Sequence, residues 1–223
     1  MQLHAVIVPP PDVVRGALEA AHDLWSVTPP APDEPARGLL DRLRGRRRPV
    51  TPAEPATALL PAAPEAVFVR LAKFGNVTGT DAAGLAEALR SVAGTWPAPV
   101  LRVTGLTVAE AEPHEVAAQL DGDVDALRDI YHHVNEVARQ QRFFLDRRSF
   151  RSELLLGSVE GEDGAPVSSD VAGAEAAHAG PRWSPTHVTL VRASFGASGT
   201  TYSELAQVEL GRAAEELGTG TGA

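Results

Sequence analysis

Two pairs of residues combine types and spacings that could do chemistry. His187 and Thr189 lie two apart in a segment with strand character, so their side chains point to one face of a sheet. An imidazole titrates near neutral pH and can transfer a proton, while a hydroxyl can hold an oxygen on which negative charge builds. His132 and Glu136 lie four apart in a predicted helix and share a face, as metal ligands can.

The metal pair has no evident third ligand. The chain has no cysteine, which excludes a disulfide and any thiolate metal site. Histidines on exposed helix faces are common, so we expect His132, His133 and Glu136 to be surface residues that bind no metal. The sequence contains no dinucleotide fingerprint, no P-loop and no serine nucleophile elbow, and we expect no cofactor.

Two further segments share the frame of a paired catalytic site. The first runs from Phe68 to Val77 and reads FVRLAKFGNV; the second runs from Phe150 to Gly157 and reads FRSELLLG. In context they resemble the two His-x-Thr strands of the 2H phosphoesterases, the superfamily of the bacterial 2'-5' RNA ligases and cyclic phosphodiesterases. Those strands usually read like H-x-T-L-x-F-L-G and F-x-P-H-x-T-L.

Neither segment keeps the signature of that superfamily. Phe68 and Arg70 stand at the first His and Thr positions, and Glu153 and Leu155 stand at the second. Phe68 cannot carry a proton, Leu155 cannot donate a hydrogen bond, and Arg70 stays protonated at physiological pH. The resemblance therefore implies the scaffold with degenerate motifs, and we expect no standard catalytic residue at these four positions.

The resemblance also implies a fold. It would be α+β and bilobal, with two antiparallel sheets backed by helices around a central groove that the four motif positions face. In that order of strands, His187 follows both motif strands, so its match to the motif is expected to be accidental. His187 and Thr189 would then lie exposed on a sheet face.

Arg70 and Glu153 are the candidate ligand-binding residues of this groove. A guanidinium can clamp a phosphate or a carboxylate through two parallel hydrogen bonds. Glu153 would repel such an anion, and it could instead serve as a lone base. Alternatively, Arg70 and Glu153 form a buried ion pair with a purely structural role.

Hydrophobic periodicity predicts the elements that must position these residues. Strands are expected over 3–8, 66–74, 100–108, 115–120, 150–159, 183–194 and 201–210, and helices over 12–25, 80–93 and 123–141. They would form one bilobal domain over 1–211, with a Pro- and Arg-rich insertion at 28–64, a flexible connection at 160–181 and a disordered tail at 212–223. Five arginines between Arg42 and Arg48 fall in the insertion and are expected to be solvated, although they could meet a phosphate backbone.

Composition limits the class of protein. A chain of 223 residues can bury a sizeable core, and its net charge of -9 argues against indiscriminate nucleic-acid binding. No apolar stretch is long enough for a membrane span, and no signal-peptide pattern opens the sequence. We expect a cytoplasmic protein without a membrane partner; its oligomeric state stays undetermined.

Three functions remain open at this point. The leading one is a catalytically degenerate protein that uses Arg70 to bind a phosphate-bearing ligand, a nucleotide or an RNA end. The second is an active phosphodiesterase or RNA ligase in which Glu153 or His187 replaces the missing histidines. The third is a structural or interaction protein whose groove is closed by Phe68, Leu155 and an ion pair.

Overall fold

A computed structural model describes residues 1–26, 57–145, 149–197 and 199–212. These residues form two antiparallel sheets and three helices, which confirms the predicted α+β class. The strands are β1 Gln2–Ile7, β2 Thr57–Pro61, β3 Val69–Asn76, β4 Leu101–Val108, β5 Glu115–Gly122, β6 Glu153–Gly161, β7 Glu175–Ala177, β8 His187–Gly196 and β9 Gly199–Glu209. The helices are α1 Pro11–Trp25, α2 Gly79–Ala93 and α3 Val124–Gln140. None of these helices is long and apolar enough to cross a membrane.

Two of the helices each follow a strand of one sheet and pack on the other sheet. The four-stranded sheet has the order β3-β1-β8-β9, and the five-stranded sheet has the order β2-β6-β5-β4-β7. Helix α1 leaves the first sheet at β1 but packs on β2, β4 and β6 of the second; α3 leaves the second sheet at β5 but packs on β3 of the first. Their buried faces join one apolar cluster that includes residues from both sheets.

The structure differs from the sequence-based boundaries in two loops. Residues 57–61 of the predicted insertion form β2, which pairs with β6, and Thr57 Oγ1 donates a hydrogen bond to the carbonyl oxygen of Trp25 at 3.1 Å. The predicted connection at 160–181 begins inside β6 and includes β7, which pairs with β4. Both strands are short, and their partners lie far away in sequence, so local periodicity did not reveal them. The arginine cluster and the tail beyond residue 212 lie outside the described residues.

A β-bulge in β3 decides which of its side chains face the groove. Arg70 lies opposite Val6 of β1, and Lys73 lies opposite His4. The two β3 residues are three apart, whereas their β1 partners are two apart, so Leu71 is an extra residue in the ladder. An extra residue shifts the alternation by one, which places Arg70 and Lys73 on the same face.

Candidate functional site

The predicted groove is a cavity of about 570 Å³ where β3, α3 and the start of β6 meet. Its size lies within the range of small-molecule sites. The cavity brings together all four motif positions. It is lined by Phe68, Arg70, Leu71, Ala72, Lys73, Glu115, Tyr131, Asn135, Ser149, Arg151, Glu153 and Leu155.

Arg70 and Lys73 give the β3 side of the cavity a positive charge. Arg70 is exposed and Lys73 is half-buried. Neither forms a salt bridge with a carboxylate in the described part of the chain. Their donors are therefore available to an anion, and hydrogen bonds between such cations and a phosphate are about twice as strong as neutral ones.

Glu153 does not pair with Arg70. Its carboxylate accepts a hydrogen bond from Arg151 Nη1 at 3.2 Å and another from Gln119 Nε2 at 3.4 Å. Arg151 precedes Glu153 by two residues in an extended segment, so the two side chains reach each other locally. The alternative of a structural Arg70–Glu153 pair is therefore wrong, and part of the negative charge of Glu153 is offset within its own strand.

Aromatic packing occupies the first His position of the motif. Phe68 directly precedes β3 and is buried, and its ring meets that of Tyr202 edge to face. Val6 and Val191 complete this small apolar cluster. At the second Thr position, Leu155 is 37% exposed and presents only an apolar side chain. Neither position can transfer a proton or donate a side-chain hydrogen bond.

The literal His-x-Thr string lies outside the cavity. His187 and Thr189 are on β8 and do not line it. His187 Nδ1 lies 2.8 Å from Thr186 Oγ1, within hydrogen-bond distance. Thr189 is buried, so the expectation that both side chains would be exposed is wrong for Thr189. Thr189 lies opposite Val6 of β1. Both β1 and β8 are interior strands of the sheet, which explains the low exposure of Thr189.

His132 and Glu136 belong to no group of three potential metal ligands among the described residues. His133 stacks on Trp96 with ring centroids 5.3 Å apart, and the ring of His132 meets that of Tyr131. No group of three His, Asp or Glu residues among those described could hold a metal ion. The two histidines therefore have aromatic neighbours that account for their positions.

Sequence reasoning missed three residues on or beside this cavity. Lys73 is the single lysine of the chain, and only the bulge turns it toward the cavity. Asn135 is a buried polar residue in the otherwise apolar buried face of α3. That break in the apolar stripe was a signal in the sequence. His4 is buried on β1, and neither of its ring nitrogens has a partner among the described residues.

His4 lies outside the cavity, so it is not placed to take the role of the missing histidines there. Burial, with a smaller contribution from the charges of Arg70 and Lys73, lowers the pKa of His4 from 6.5 to about 4. The imidazole is therefore neutral at physiological pH. It does not line the cavity and has no acid proton to give there.

A second cavity, of about 440 Å³, lies beside the other end of β6. Glu112 and Glu160 are among its lining residues, and no Lys or Arg is among those described there. This charge does not suit a phosphate, so the first cavity is the better candidate site.

Comparison with known proteins identifies the fold. No protein-family model matches the chain, and no curated protein matches its sequence. TT0787 of Thermus thermophilus matches with a TM-score of 0.63 at 16% identity, covering 94% of this chain and 98% of that one. E. coli LigT complexed with 3'-AMP matches with a TM-score of 0.61 at 16% identity, covering 94% and 97%.

A structure described as a phosphoesterase matches equally well, with a TM-score of 0.62 at 16% identity and coverage of 94% and 98%. Structures of E. coli LigT with NADP+ and with phosphate also match, with TM-scores of 0.60 and 0.57. At these identities the matches show the fold. The chain therefore has the fold of LigT and the 2H phosphoesterases, as the resemblance in its sequence implied.

Proposed function

We propose that this protein binds a phosphate-bearing ligand, a nucleotide or an RNA end, in the cavity between β3 and β6, and that it is a pseudoenzyme. The observation that carries the proposal is the exposed guanidinium of Arg70, which lines an open cavity and has no carboxylate partner among the described residues. Lys73 lies on the same face and adds a second cation.

The chemistry around these cations supports binding rather than turnover. Hydrolysis of a cyclic phosphodiester needs a general base and a general acid. Phe68 and Leu155 can be neither, and His4 is neutral and outside the cavity. Glu115 and Glu153 are the acidic residues that line the cavity, and Arg151 and Gln119 both donate hydrogen bonds to Glu153.

The likeness to LigT supports the same class of ligand. That protein has been crystallised with 3'-AMP, NADP+, ATP and phosphate. A phosphate group is common to all four. In this chain, Arg70 and Lys73 are the cavity residues that suit such a group. Neither forms a salt bridge with a carboxylate among the described residues, so their donors can contact a phosphate.

Calorimetric titration of a nucleoside monophosphate into wild type and two cavity variants tests the proposal. Arg70→Ala should weaken binding by about 1.5–3 kcal/mol, the range for hydrogen bonds to charged groups. Glu153→Gln should leave binding unchanged or tighten it, because it removes a negative charge and releases Arg151.

Arg102→Ala is the matched control. Arg102 pairs with Asp121 outside the cavity, so its loss removes the same charge from the protein without touching the site. Equal affinities for wild type and Arg70→Ala would show that the cavity is not an anion site, and a structural role would take its place.

A further inference from the structure

Asn135 has a contact that packing alone does not require. It is 5% exposed and lies among the apolar side chains that α3 buries. Its Nδ2 donates hydrogen bonds to the carbonyl oxygen of Leu71 at 3.2 Å and to that of Tyr131 at 2.6 Å. A buried amide in an apolar face is tolerated when its hydrogen bonds are made, so these contacts explain why it can be there.

The acceptor on β3 is the residue that forms the bulge. Leu71 is the extra residue of the β1–β3 ladder. A bulge disrupts the ladder locally and leaves the extra residue unpaired. The amide of Asn135 supplies a partner to this residue from a helix 64 positions further along the chain.

The bulge in turn determines the spacing of the two cations. In a regular strand Arg70 and Lys73, three apart, would point to opposite faces. With Leu71 bulged, both lie on the face that carries their β1 partners. A ligand in the cavity therefore meets two positive charges from one strand instead of one.

We propose that Asn135 is a positioning residue that holds Arg70 and Lys73 on one face, and that the resulting pair selects a terminal phosphate over a bridging phosphodiester. This inference rests on the proposed function of the same cavity. A phosphomonoester carries between about 1.5 and 2 negative charges at neutral pH, because its second pKa is near 6. A phosphodiester carries one, so it gains less from a second cation.

The test compares two ligands, adenosine 5'-monophosphate and its methyl phosphodiester, by calorimetric titration at neutral pH and fixed salt. Wild type should bind the monoester about tenfold more tightly than the diester. Lys73→Gln should lose most of that preference by weakening the monoester more than the diester. Asn135→Leu, which removes the amide without adding charge, should lose it to the same extent.

The double variant separates positioning from general damage. If Asn135 acts through Lys73, Asn135→Leu should change the preference no further in a Lys73→Gln background. Val134→Ala is the control: it opens a cavity next to Asn135 on α3 and lowers stability, but it should keep the preference. Asn135→Ser, which restores a donor, should recover part of it.

If Asn135→Leu does not fold, Asn135→Ala removes the same amide without the added apolar bulk. A normal preference in a folded Asn135 variant, or additive effects in the double variant, would overturn the inference while leaving binding through Arg70 intact. Equal affinity of wild type for the two ligands would also overturn it. If wild type binds neither ligand, the proposed function itself is wrong, and the inference falls with it.

Discussion

The rings of Phe68 and Tyr202 meet edge to face, with their centroids 5.0 Å apart. Phe68 stands where the 2H resemblance places the first histidine, so an aromatic contact lies where the resemblance implies a proton-transfer group. Phe68 is buried, and the charge on the β3 side of the cavity comes from Arg70 and Lys73.

We expect negligible 2',3'-cyclic phosphodiesterase and 2'-5' RNA ligase activity. Each missing proton-transfer residue would contribute a factor of roughly 10²–10⁴. Chromatographic analysis of a cyclic nucleotide incubated with the protein measures the turnover. Hydrolysis at rates typical of enzymes, abolished by Glu153→Gln or His187→Ala, would show that another residue has taken over the chemistry.

His4 should make the stability of the protein depend on pH. Its pKa is about 4 in the folded state against an ordinary 6.5. Between these values the unfolded chain binds a proton that the folded chain does not, so stability rises with pH and falls on acidification from 6.5 towards 4. The loss should be at most about 3–4 kcal/mol.

Urea unfolding at several pH values measures this effect against a variant. His4→Phe keeps an aromatic ring next to Tyr202 but has no titrating group, so it isolates the histidine from the carboxylates that titrate in the same range. The difference in unfolding free energy between wild type and His4→Phe should change between pH 6.5 and about 4 and be constant above pH 6.5. Parallel curves would mean that His4 titrates normally.

Gly157 should be intolerant of any side chain. Its φ is +146°, and an added Cβ would lie 2.1 Å from the carbonyl oxygen of Leu60 on the neighbouring strand. Gly157→Ala should cost about 3 kcal/mol in chemical unfolding, through backbone strain and the forced separation of β2 from β6. Gly75→Ala is the matched control, because a Cβ there meets nothing within 4 Å; its change should stay within about 0.5 kcal/mol. Similar costs for both variants would contradict this account of β6.

The order of the strands and helices, together with the framing residues of the two motif segments, predicted the fold, and the structure places Phe68, Arg70, Glu153 and Leu155 around one cavity. The sequence did not predict that Glu153 pairs with Arg151. Arg70, on another strand that faces the same groove, was an equally suitable cation. Lys73 was missed because strict alternation places it on the opposite face from Arg70.

The bulge that reverses this alternation lies at Leu71, whose carbonyl oxygen accepts a hydrogen bond from Asn135, a contact that no local pattern encodes. Sequence periodicity predicts the alternation of side chains along a regular strand. The departure in β3 comes from the register with β1 and from a helix that packs on it.

The crossing of α1 and α3 between the sheets has a consequence for how the cavity keeps its shape. Each sheet is covered in part by a helix that leaves the other sheet, so the two walls of the cavity cannot separate without stripping both helices from their apolar contacts. A rigid hinge motion that opens the cavity would therefore disturb the apolar contacts of both helices. For the proposed ligand, such a cavity would already have its shape before binding, so little binding energy would be needed to form it.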